Sequence, residues 1–261
     1  MFGKAAALVL ATSVLATAAG ASTVIDVTVY GKNQVSDFQT DFGAAIGAGT
    51  FVGEDFENLG PGGSGSIEGE VASPFETNVG SFSVLQGGVG SGGTVKNLPG
   101  NTGTNLALRD GSVYGRTNVW PEDGNWFLDS NDTFGFTWEV DKTDVGGSFD
   151  KLMFALIDGS DTGAFLRIET GDGAVFEQRN TGAAKLGNGN VAYVVVDFGQ
   201  VVSSASITVG NFTSNADDAS LRINDGVGID GAMVNVVPLP ASLAFLLAGM
   251  GALGVARSRK S

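Results

Sequence analysis

The chain has 261 residues, 43% of them hydrophobic, with 41 glycines and neither cysteine nor histidine. That is ample for one hydrophobic core or two small ones, and it excludes disulfides, thiolate nucleophiles, zinc–thiolate sites and Cys/His catalytic pairs. The formal net charge of −14 understates the acidity of the middle: without Lys4, Arg257, Arg259 and Lys260, 10 basic side chains face 28 acidic ones, or −18. Such a balance argues against a nucleic-acid partner, which needs a basic footprint, and suits a chain kept soluble by repulsion in salty or calcium-bearing surroundings.

In chain order the first predicted element is MFGKAAALVLATSVLATAAGAS. Lys4 supplies a short basic start, an apolar stretch follows, and Ala19-Gly20-Ala21 forms an A-x-A cleavage pattern. This predicts a secretory signal peptide over 1–21, cut between Ala21 and Ser22.

Residues 22–236 read as one domain of about a dozen short strands broken by Gly, Asn and Asp. TVIDVTVY (23–30) alternates Ile25, Val27 and Val29 against Val24, Asp26, Thr28 and Tyr30. Further strands are expected in GTFVGEDFENL (49–59), GSFSVLQ (80–86), NLALRD (105–110) and DTFGFTWEV (132–140), the last with Phe134, Phe136, Trp138 and Val140 on one face. FDKLMFALID (149–158), AFLRIET (164–170), AVFEQRN (174–180), VAYVVVDFG (191–199), ASITVGNF (205–212), ASLRIND (219–225) and AMVNVV (232–237) complete the set. Regular spacing with turns such as Asp172-Gly173 predicts an all-β, jelly-roll-like β-sandwich. The glycine-rich stretches 60–65 and 87–93 are loops; no Lys-Ser/Thr and no helical pattern follows them, so neither cradles phosphate. VVVDFGQVVSSASITV (194–209) is similar to a strand pair in galactose-binding-like and carbohydrate-binding sandwich domains.

Two constellations in this domain point to binding. EDFEN (54–58) lies on an early strand and INDGVGID (223–230) just before the last one. First and last strands of a jelly roll are often neighbours, so Glu54, Asp55 or Glu57 are expected to meet Asp225 and Asp230. Backbone carbonyls would complete an oxygen cage for calcium, which takes 6–8 oxygen ligands. The plainer reading is that these acids cap turns. VYGRTNVWPEDGNWF (113–127) places Tyr114, Trp120 and Trp126 among Gly, Asn and Pro, where they can stack on sugar rings or close the end of the core. Adjacent acids such as Glu122/Asp123 and Asp217/Asp218 point apart in a strand or turn and do not make a hydrolytic pair.

The last predicted element is VPLPASLAFLLAGMGALGVARSRKS (237–261). Its uncharged apolar stretch, 242–256, spans only ~22 Å as a helix at ~1.5 Å per residue, against a hydrocarbon core of ~30 Å. It lacks the polar face of a soluble helix, and the basic cluster Arg257, Arg259 and Lys260 holds its end in the cytoplasm. The segment resembles the VPLPA form of the PEP-CTERM sorting signals, in Val237, Pro238, Leu239, Pro240 and Ala241, then the apolar stretch, then the Arg-rich end. The resemblance implies recognition by an exosortase-like membrane enzyme, a transient stay in the inner membrane, and delivery to the surface or extracellular matrix of a Gram-negative bacterium. The prolines keep the motif extended and accessible.

The expected function is therefore display: an exported, surface-sorted protein with a structural or adhesive role in exopolysaccharide or biofilm, and no catalytic residues. A lectin-like carbohydrate-binding module, with calcium as its candidate ion, is the alternative; a secreted glycoside hydrolase is a third class that needs a cleft with raised-pKa carboxylates.

Overall fold

The computed structural model describes residues 23–31, 34, 36–38, 40, 50–60, 63–85, 105–111, 124–131, 133–158, 165–179, 191–210 and 226–238. They form strands β1 (Asp26–Gly31), β2 (Thr50–Glu54), β3 (Gly69–Glu70), β4 (Phe75–Thr77), β5 (Gly80–Val84), β6 (Ala107–Arg109) and β7 (Phe127–Asp129). The later strands are β8 (Gly135–Asp141), β9 (Phe149–Ile157), β10 (Phe165–Thr170), β11 (Val175–Arg179), β12 (Val191–Val202), β13 (Ser204–Gly210) and β14 (Gly228–Val236).

An eight-stranded sheet runs β1-β12-β9-β14-β7-β6-β3, with β2 also pairing β14; a six-stranded sheet runs β11-β10-β13-β8-β5-β4. From β8 to β14 the chain repeatedly crosses between the sheets, and every pairing is antiparallel. This is the β-sandwich that the strand spacing predicts.

The inner faces meet over aromatic side chains supplied by strict alternation. Phe136, Trp138 and Val140 of β8 are buried, with Glu139 exposed between them. The Trp138 ring stacks on Phe82 at 5.5 Å and meets Phe154 of the opposite sheet edge-on at 5.8 Å. Its indole N–H donates to the Val79 carbonyl at 2.9 Å, so its one polar atom is satisfied inside the core. Truncating such a side chain to alanine costs about 3–5 kcal/mol.

A second apolar cluster covers the outer face of the eight-stranded sheet. It holds Phe38, Phe127, Met153, Ala155, Ile157, Val191 and Tyr193, with Phe38 stacked on Tyr193 at 4.6 Å. Strands β9, β12 and β14 are thus apolar on both faces over much of their length. Continuous runs such as LMFALI and VAYVVV follow from that burial.

Several sequence expectations change in detail. Phe134 precedes β8, which starts at Gly135 with φ 120, a conformation that favours glycine. The pair read in 194–209 keeps its order, but β12 and β13 belong to opposite sheets rather than to one hairpin. β14 begins at Gly228, so Gly228, Ile229 and Asp230 are strand rather than loop. The strand expected at 219–225 lies outside the described residues, as does the glycine-rich stretch 87–93.

Candidate functional site

A polar cleft built by described residues lies on the β2 edge. β2 pairs with the later part of β14, Glu54 opposite Ala232, so the early and last strands are neighbours as expected. Gly53 leaves room for Met233, whose Cγ stands 3.6 Å from where a glycine Cβ would be. The chain then leaves the strand and turns at Phe56, with φ 58. This left-handed turn is held from within: the Glu54 carboxylate accepts from the Phe56 N–H at 2.9 Å and from the Asn78 N–H at 3.2 Å. Asp55 accepts from the Glu57 N–H at 3.1 Å. Glu57 accepts from the Trp126 N–H at 2.7 Å, tying this edge to the approach to β7.

Glu54, Asp55, Asn58, Leu59, Asn78 and Met233 line a cleft of about 390 Å³ together with Gly53. Glu54 is only 4% exposed. Burial pushes its carboxyl above the ordinary glutamate range, and the neighbouring Asp55 charge adds to the rise; the backbone N–H groups oppose it.

The sequence-expected residues divide as follows. Glu54, Asp55 and Glu57 share this edge, and Asp230 is buried on β14, accepting from the Gly231 N–H at 2.7 Å. Asp225 lies outside the described residues, and among those described no group of three or more acidic side chains is arranged to hold a metal ion. Trp126 packs against the main core, while Tyr114 and Trp120 lie outside the described residues. So do Ala19, Ala21, Ser22, Leu239, Pro240, Ala241, Arg257, Arg259 and Lys260.

Sequence reading missed a second charged centre. Arg109, fully buried at the end of β6, donates to the Asn131 side chain at 2.8 Å and lies 3.8 Å from carboxylate oxygens of Glu68 and Asp129. Asn131, at φ 54, accepts that bond while its own amide donates to the Asn105 carbonyl at 2.9 Å. Its only signal was an arginine directly after Leu106, Ala107 and Leu108, in a strand too short to show a period. Asn58 and Asn78 were likewise unmarked, being asparagines in turns.

Past Val236 the domain gives way to the terminal segment at once. The Val237 N–H donates to the Ser148 carbonyl at 2.9 Å, and Pro238 is exposed. The family profile of the PEP-CTERM protein-sorting motif matches 236–260. These residues are a PEP-CTERM protein-sorting motif. The sorting motif makes this an exported protein, anchored through its C-terminal segment and directed to the cell surface. Among the described residues no helix is long and apolar enough to cross a membrane; the apolar stretch of the motif lies outside them.

No match was found among curated proteins. Among solved structures, the K2 cleaved adhesin domain of Lys-gingipain is 11% identical, with a TM-score of 0.36 over 72% of this chain and 98% of that one. A family 29 carbohydrate-binding module is 12% identical, with a TM-score of 0.26 over 51% of this chain and 92% of that one. The CBM22-2 xylan-binding domain from Paenibacillus barcinonensis Xyn10C is 8% identical, with a TM-score of 0.28 over 59% of this chain and all of that one. At TM-scores this low the likenesses carry no functional inference.

Proposed function

We propose that the β-sandwich is a display domain with a structural or adhesive role in exopolysaccharide or biofilm, released from its anchor by an exosortase-like enzyme. The observation that carries this reading is the sorting motif beginning where β14 ends. The mass of the surface form tests it: a chain ending within 237–241 is expected, and a surface form retaining Lys260 would overturn the processing step.

A second reading, polysaccharide binding in the β2-edge cleft, is favoured by its lining. Asn58, Asn78 and Asp55 offer donors and acceptors to hydroxyl groups, and Leu59 and Met233 offer apolar surface, the mixture that small-molecule sites use. Glu54 is held on both oxygens by backbone N–H groups, which suits a structural support of the cleft better than a general acid. Titration of the purified domain against a polysaccharide panel should give saturable binding. Asn58→Ala combined with Asn78→Ala should weaken it about tenfold, the loss of one or two hydrogen bonds. Undiminished binding in the double variant would remove this cleft as the site.

A further inference from the structure

The two ends of the described sandwich emerge at one rim. Val236 pairs with Phe149 at the start of β9 and with Thr50 at the start of β2. Val202, the last residue of β12, also pairs with Phe149. Ahead of β1, the Thr23 hydroxyl donates to Asp172 at 2.6 Å and accepts from the Gln200 side chain, and the Val24 carbonyl lies against Gly199. Residues 23–24, 199–202, 148–149 and 236–237 therefore sit side by side, at the ends of the neighbouring strands β1, β12, β9 and β14.

Two features set this rim apart. Val24 is 68% exposed, and Val201 is 50% exposed at the end of a strand whose other valines are largely covered. Only the five residues 237–241 separate β14 from the apolar stretch. Fully extended, five residues reach about 17 Å. The polar layer on each side of a bilayer is roughly 5–8 Å deep. While the apolar stretch is in the membrane, the rim has no freedom to stand far from it, and the hydrogen bond from Val237 to Ser148 shortens the tether further.

We propose that this rim is the domain's membrane-facing surface, with Val24 and Val201 seated in the headgroup layer of the bilayer that holds the sorting segment. The occupant is a lipid surface, and the length and exit point of the tether select it. Asp141, Asp144 and Asp172 stand around the same end, through the bond from the Lys142 N–H to the Ser203 carbonyl and the turn joining β10 to β11. A zwitterionic lipid surface is therefore the better match. The inference rests on the anchoring role of the sorting motif, and its test keeps the two apart.

The chain has no cysteine, so single-cysteine variants of the chain from Ser22 to Ser261, without the predicted signal peptide, accept one environment-sensitive fluorophore each. V24C and V201C probe the rim. I67C and L85C probe exposed positions near β3 and at the end of β5, away from it. All four are reconstituted into phosphatidylcholine vesicles carrying a headgroup nitroxide quencher, and flotation reports anchoring independently. The expected result is flotation of all four, with blue-shifted emission and several-fold stronger quenching at 24 and 201 than at 67 and 85. Flotation with equal quenching at all four positions would overturn the rim and leave the anchor standing. Shielding of 24 and 201 only when the processing enzyme is added would assign the rim to that enzyme instead. Failure to float would overturn both.

Discussion

Two of the places where the described residues bury charge are balanced in different ways. Around Arg109 a cation stands among Glu68, Asp129 and Asn131. At the β2 edge, the Glu54 carboxylate is held among the described residues by backbone N–H groups, and the charge that acts on it is the like-signed Asp55. The Arg109 guanidinium is fully buried, while the Glu54 edge borders an open cleft. A buried carboxylate supported by neutral donors is an adjustable element, and a buried ion cluster is a fixed one.

Substitutions at the two centres break that comparison by different amounts. Arg109→Met should be the most damaging, because it strands the buried Asp129 carboxylate without its cation; equilibrium denaturation should show a loss of about 3–5 kcal/mol. Glu54→Ala should cost less, about 1–3 kcal/mol, since the Phe56 and Asn78 N–H groups lose their acceptor.

The pH response separates them further. Folding raises the Glu54 pKa, so the folded state holds that proton more tightly than the unfolded one. Its contribution to stability is greatest below the ordinary glutamate range and is lost as pH rises through the raised folded value. Glu54→Gln should flatten that fall, read as unfolding free energy across an acid-to-neutral series. The smallest effect is expected at Thr23. Hydrogen bonds from Thr170 and Thr23 hold the Asp172 carboxyl below its ordinary range, so its contribution is present above that range and lost as pH falls. Thr23→Val should move the acid-unfolding midpoint slightly upward in pH.

The strands were legible in the sequence where burial imposes a period. β8, β9, β10, β12 and β13 follow the expected segments closely because each alternates or runs apolar for five residues or more. β3, β4 and β7 were not legible: with two or three residues each they carry no period, and β7 lies at the edge of an aromatic stretch read as loop. The start of β14 was hidden by Asp225-Gly226 and Asp230-Gly231, which read as turns although Asp230 is buried in the strand. The meeting of β2 with β14 followed from topology, but the use of the acids did not. Glu54 and Asp55 bind backbone N–H groups of their own turn, as short acidic turns do, and Glu54 also accepts from the Asn78 N–H. The cleft's asparagines gave no sign, because their importance comes only from the fold that gathers them.

The place of β14 sets the order in which the molecule can be completed. It lies in the interior of the larger sheet, joining β9 on one side to β7 and β2 on the other, yet it is the last strand of the domain to be made. A chain exported from its N-terminus cannot close that sheet until β14 has crossed, since without it β1-β12-β9 and β7-β6-β3 have no common member. Contacts that bridge such long sequence separations are slow to form. The segment that follows β14 therefore reaches the membrane only once the last described member of that sheet has been delivered.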